Sequence, residues 1–140
     1  MSPAPPYRRP GLVALVAVGG MVGSAGRYGL AQLLPPRDGW PVATFLVNVV
    51  GSFVLGLLLE ALVRRGSEGR RELRLRLGIG TGVLGGFTTF SSLALETERL
   101  LADGALVTAS TYVLASLVCG LAACVGGVVL SARRASGAGT

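Results

Sequence analysis

The sequence predicts an all-α membrane protein of four transmembrane helices, the third of them broken at mid-membrane. Three observations lead there. Of the 140 residues 51% are hydrophobic and only 14% are charged, with a mean hydropathy of +0.64. A soluble domain carries charge on about a quarter of its residues. The apolar residues arrive in four long blocks, at about 11–34, 41–63, 75–101 and 105–132. Each is long enough to cross roughly 30 Å of hydrocarbon as a helix. The third block also holds a glycine- and hydroxyl-rich stretch, Gly82-Val83-Leu84-Gly85-Gly86-Phe87-Thr88-Thr89-Phe90-Ser91-Ser92, which makes a poor continuous helix. The blocks form one transmembrane domain over residues 11–132, with disordered tails expected at 1–10 and 133–140.

The first block follows Arg8-Arg9, as the apolar core of an export signal would. It is longer than the roughly 7–15 residues of such a core, contains Arg27, and precedes three further spans, so it reads as a span. Gly19–Gly23 and Gly20–Ser24 are small-xxx-small pairs that let helices approach closely. Arg27 lies inside the block. A charge there either faces a partner or a watery vestibule or snorkels to the interface, and both readings stand. Pro35-Pro36-Arg37-Asp38-Gly39 is a turn, and Trp40 fits an interfacial anchor.

In the second block Thr44, Asn48 and Ser52 lie four apart on one helix face. Asn48 must find a partner, since an unpaired buried amide costs about 1–3 kcal/mol. That partner is either one interhelical hydrogen bond or a polar track. Glu60 sits near the inner end. In the third block Gly78, Gly80, Gly82, Gly85 and Gly86 weaken the helix before Thr88, Thr89, Ser91, Ser92 and Glu96. Irregular chain at membrane depth survives only where it is buried in protein or lines a cavity, and such breaks mark ion or substrate sites. In the fourth block Tyr112, Ser116 and Gly120 again fall four apart. Polar stripes thus lie on three helices: Thr44/Asn48/Ser52, Ser92/Glu96 and Tyr112/Ser116. Donors without strong fixed charge suit a small anion that must shed water and still leave.

Charge sets the orientation. All 13 basic residues are arginine and the net charge is +6. With four spans, one side holds Arg8, Arg9, Arg64, Arg65, Arg70, Arg71, Arg74, Arg76, Arg133 and Arg134; the other holds Arg37 and Arg99. This asymmetry predicts a multi-pass protein of the cell membrane with both termini cytoplasmic and a polar, surface-lying loop at about 64–74. No soluble basic face exists for nucleic acid. Cys119 and Cys124, five apart on one helix, point in different directions and read as small core residues rather than a bridge. There is no histidine, hence no transition-metal cluster. No nucleophile–base pair appears, so an enzyme is not expected.

Three motifs carry a resemblance: Gly-Ser-Ala-Gly-Arg-Tyr at 23–28, Thr-Phe-Leu-Val-Asn-Val-Val-Gly-Ser-Phe-Val-Leu-Gly at 44–56, and Gly-Gly-Phe-Thr-Thr-Phe-Ser-Ser at 85–92. Over about residues 12–130 the chain resembles the Fluc/CrcB fluoride channel family. The resemblance implies an antiparallel dimer of four-helix subunits with two narrow pores that let cytoplasmic fluoride leak out passively. It implies a structural, untransported Na⁺ at the dimer centre, held by the backbone carbonyls of Gly85 and Thr88. Asn48, Phe90, Thr44, Tyr112 and Ser116 match the pore, Arg27 the vestibule arginine and Glu96 the third-helix carboxylate, with Ser92 beside it on the pathway. The edge of the Phe90 ring, the positive end of its quadrupole, would face the anion.

One position departs. Leu93 stands where the family usually has a second phenylalanine, so a homodimer would pair Phe90 with Leu93 in both pores. An antiparallel homodimer also needs a sequence that inserts both ways, and the arginine bias here opposes that. The expected partner is therefore an inverted paralogous subunit. Two other readings remain at this point: a proton-coupled small multidrug transporter, which wants a carboxylate on the first helix where none exists, and a non-conducting partner subunit of a heterodimeric channel.

Overall fold

A computed structural model describes residues 8–37, 39–66 and 69–137; Asp38 and the outermost tail residues lie outside it. Four helices long and apolar enough to cross a membrane run over Pro10–Leu33, Val42–Val63, Arg70–Ala102 and Leu106–Arg134. Among the described residues the chain is otherwise turns, with one bridge between Arg37 and Trp40 and no strand.

The first span is α1 (Pro10–Leu33), with proline at its start, where the missing N–H costs no helical bond. Gly39, at φ +80°, lets the chain reverse so that Arg37 and Trp40 exchange backbone hydrogen bonds of 3.1 and 2.8 Å. The second span, α2 (Val42–Val63), ends beside an Arg64–Glu60 ion pair of 2.5 Å. The third begins earlier than the apolar block does. Residues 70–74, expected as surface loop, already form the helix α3 (Arg70–Leu75), because arginine, glutamate and leucine are good helix formers. A π-helical segment (Arg76–Leu84), a short α4 (Gly85–Phe87) and α5 (Phe90–Ala102) complete it. The last helix, α6 (Leu106–Gly137), runs past the expected end at 132.

The expectation of a broken third helix needs correction. Gly78, Gly80 and Gly82 stay helical, in the wider π form. The interruption is confined to Thr88 and Thr89, both extended, and the two halves continue as one joined span bent by only 13°. The glycines are used for contact instead. A Cβ on Gly19 would lie 2.5 Å from the Gly78 carbonyl oxygen, and one on Gly23 would strike the Val83 carbonyl. Only glycine lets α1 lie this close to the π-helical segment and α4.

α2 packs along α6, and α5 against α6. Between them lie the well-buried residues Val47, Leu84, Leu93, Ala109 and Tyr112, whereas Val18, Val22, Leu114, Val118 and Leu121 face outward. An apolar exterior around a small partly polar interior is the arrangement lipid requires. Cys119 is exposed rather than in the core, and Cys124 is half-buried.

Candidate polar groove and its hydrogen-bond network

The two extended threonines disturb the helical ladder at defined groups. In a continuous helix the Thr89 N–H would go to the Gly85 carbonyl and the Ser92 N–H to the Thr88 carbonyl. Thr89 N–H instead donates to Asn48 Oδ1 at 2.8 Å, while Asn48 Nδ2 donates to the Thr89 carbonyl at 3.0 Å. Ser92 N–H donates to Thr89 Oγ1 at 3.1 Å, which caps α5. One side-chain amide thus gives the displaced Thr89 N–H an acceptor and the Thr89 carbonyl a donor. The carbonyls of Gly85 and Thr88 are left without their ordinary donors.

Neighbouring groups close around this point. Thr88 Oγ1 donates back to the Leu84 carbonyl at 2.9 Å. The Gly86 carbonyl accepts from Ser24 Oγ at 3.4 Å and from Arg27 Nε at 3.3 Å. Arg27 therefore faces a partner across the bundle rather than snorkelling along its own helix. Ser92 Oγ lies 3.1 Å from Thr89 Oγ1.

A second cluster forms one turn away. Both carboxyl oxygens of Glu96 accept hydrogen bonds, from Thr44 Oγ1 at 2.8 Å and from Tyr112 Oη at 2.6 Å. Tyr112 is fully buried. Trp40 packs edge-on against it, with ring centroids 5.4 Å apart, and against Phe45 at 5.2 Å. The expected stripe of Thr44, Asn48 and Ser52 therefore divides its work: Thr44 holds Glu96, Asn48 holds the interruption, and Ser52 lines a groove.

That groove is open along one side, encloses ≈ 520 Å³, and is lined by Asn48, Ser52, Thr88, Thr89, Phe90 and Ser116 among others. Gly85 and Leu93 also border it. Ser116 Oγ is buried with no hydrogen-bond partner, a costly state unless something else supplies one. Phe90 is 78% exposed, so its ring projects from the groove's rim, whereas Leu93 is 7% exposed. Arg27, Glu96 and Tyr112 do not line it. Two contributors escaped the sequence reading. Thr89 had a legible signal, a threonine three residues before a serine at a helix start; the packing of Trp40 on Tyr112 had none. Among the described residues no group of three or more Asp, Glu, Cys or His side chains is placed to hold a metal ion.

Residues 14–128 match the family described as CrcB-like protein, Camphor Resistance (CrcB). This chain belongs to the CrcB family. It is similar to the Fluoride-specific ion channel FluC of Caulobacter vibrioides, with 44% identity over 121 residues, 85% of this chain and 94% of the relative. The protein of the same name from Agrobacterium fabrum is 45% identical over 120 residues, covering 84% and 94%. Fluoride-specific ion channel FluC 1 of Cutibacterium acnes is 43% identical over 128 residues, covering 91% and 88%. The CrcB match starts within α1 and ends within α6, so it includes the interruption, the Glu96 cluster and the groove. With its four spans the chain is a multi-pass membrane protein.

Proposed function

We propose that the chain is a subunit of a fluoride-selective channel that lets cytoplasmic fluoride leave passively down its gradient and so limits fluoride toxicity. The groove carries this reading. It gathers uncharged hydroxyl and amide groups, one of them the unpartnered Ser116 hydroxyl, beneath the exposed Phe90 ring, in a chain 44% identical to a protein named a fluoride-specific ion channel. Weak, uncharged donors can replace part of an anion's water shell and still release it. The ring edge of Phe90 adds positive potential without a charge that would trap the ion.

The test is fluoride efflux from liposomes, followed with a fluoride-selective electrode. Efflux without accompanying chloride is expected. Phe90→Ile removes the ring at an exposed position and should slow efflux by about tenfold, as loss of roughly 1.4 kcal/mol would. No fluoride efflux above that of protein-free liposomes, from this chain alone or with an inverted partner, would sink the reading.

The open side of the groove and the exposed Phe90 support closure by a second, antiparallel subunit. The Gly85 and Thr88 carbonyls suit a structural Na⁺ at that seam, two oxygens from each subunit, because carbonyl oxygen is a ligand for hard cations. Mid-membrane placement of Thr88 and Thr89 belongs to the same reading. The ten-to-two arginine bias supports cytoplasmic termini and, as partner, an inverted paralogous subunit. One pore would then use Phe90 with the partner's aromatic ring, and the other would contain Leu93. Full efflux from this chain alone would remove the need for such a partner. Proton-coupled drug transport is less well supported, since Glu96 is held by Thr44 and Tyr112 and α1 offers no carboxylate.

A further inference from the structure

A second kind of concavity lies on the outside of the bundle, between α1 and the start of the third span. Its inner compartment, ≈ 480 Å³, is bordered by Arg9, Leu12, Leu15, Arg70, Leu73 and Arg74. At Leu15, Arg70 and Arg74 it adjoins an apolar groove of ≈ 600 Å³ that continues along Val18, Val22 and Val83. Arg71 stands at the mouth of this groove, and Arg70, Arg71 and Arg74 are all exposed. Among the described residues, neither compartment is lined by a carboxylate. From Arg74 to Val83 the groove extends on the order of 13 Å by helical rise.

We infer that this double compartment binds an anionic phospholipid, with its phosphate against Arg70 and Arg74 and an acyl chain in the groove between α1 and the π-helical segment. Each part of the site matches a part of that ligand. The guanidinium groups provide planar, bidentate donors for phosphate. The groove beneath them is apolar and lies along a span, where lipid tails are already present. The arginines sit at the end of the span, where headgroups lie, and juxtamembrane arginines attract anionic lipid. Charge complementarity favours this occupant over a parallel second copy, which would bring arginine against arginine.

The experiment is native mass spectrometry of the full chain, released from micelles holding equal amounts of phosphatidylglycerol and phosphatidylcholine. The unmodified chain is expected to retain phosphatidylglycerol selectively. Arg70→Gln with Arg74→Gln should reduce that retention by roughly twenty-five-fold, at about fivefold per arginine near the surface. Val18→Trp, at a position 54% exposed, fills the groove without touching the arginines and should also displace the lipid. Arg37→Gln with Arg99→Gln removes the same charge at exposed positions elsewhere and should leave retention unchanged. Equal retention of both lipids, equal losses from the two arginine pairs, retention that survives Val18→Trp, or displacement by excess inorganic phosphate would each overturn the site. So would a dimer of the unmodified chain that retains no lipid and dissociates when Arg70 and Arg74 are replaced. None of these readouts depends on fluoride conduction.

Discussion

Close glycine contact joins the bundle on both sides, at Gly19 and Gly23 along α1 and at Gly56 and Gly127 between α2 and α6. Only across α2, α5 and α6, however, do side chains of different helices hydrogen-bond one another and line an open groove. Gly19 and Gly23 bring α1 onto the carbonyls of Gly78 and Val83 with no room for a methyl group. On the other side Asn48 holds Thr89, and Glu96 holds Thr44 and Tyr112. Lipid gives helices no hydrophobic reason to associate, so they must do so by close contact or by polar pairing. This chain uses close contact on both sides and concentrates its polar pairing across α2, α5 and α6, with different consequences. The glycine seam is sealed and offers no passage. The polar side leaves space between its hydrogen bonds, and the open groove occupies that space.

The contrast can be attacked first at the seam. Gly23→Val puts a side chain into the Val83 carbonyl and 2.8 Å from the Phe87 nitrogen. Backbone cannot rotate away, so we expect a loss of more than about 3 kcal/mol, measured as unfolding of the detergent-solubilised protein. Next comes Asn48→Leu, which keeps the volume but leaves the Thr89 N–H unpaired and takes a donor from the Thr89 carbonyl. About 2–3 kcal/mol should be lost, together with fluoride efflux; an unchanged unfolding midpoint would mean that the amide does not hold the interruption. Tyr112→Phe removes one hydrogen bond to Glu96 while keeping the ring against Trp40, and should cost about 1–2 kcal/mol. The smallest effect has the opposite sign. Gly29 lies on α1 with nothing near its missing Cβ, so Gly29→Ala should stabilise the helix by up to about 1 kcal/mol. Destabilisation by Gly29→Ala would show that α1 glycines serve something other than close contact.

Much of this was legible in the chain. Four long apolar blocks foretold the four spans, and the four-residue spacing of Thr44, Asn48 and Ser52 put them on one face. Asn48 was bound to have a partner, but the identity of that partner was not readable: Thr89 is 41 positions away. The glycines misled in an instructive way. Gly78, Gly80 and Gly82 weaken a helix by intrinsic propensity, yet they stay helical where Gly78 and Gly82 pack against α1 and Gly80 against α2, and the ladder opens at two threonines instead. Glu96 and Tyr112 were both visible as polar residues in apolar helices, while their hydrogen bond to each other was not. Trp40 read as an interfacial anchor, and the packing of its ring against Tyr112 was not readable.

By itself the sequence determined how many times the chain can cross a membrane, which end of each span is rich in arginine, and which polar groups must be carried inside. Those properties follow from composition and helical period, which are local. Only the tertiary structure decided where the third span opens and which polar groups meet. A displaced peptide group is stable in a low-dielectric interior only where another helix presents a donor and an acceptor together, and the Asn48 amide does so opposite Thr89.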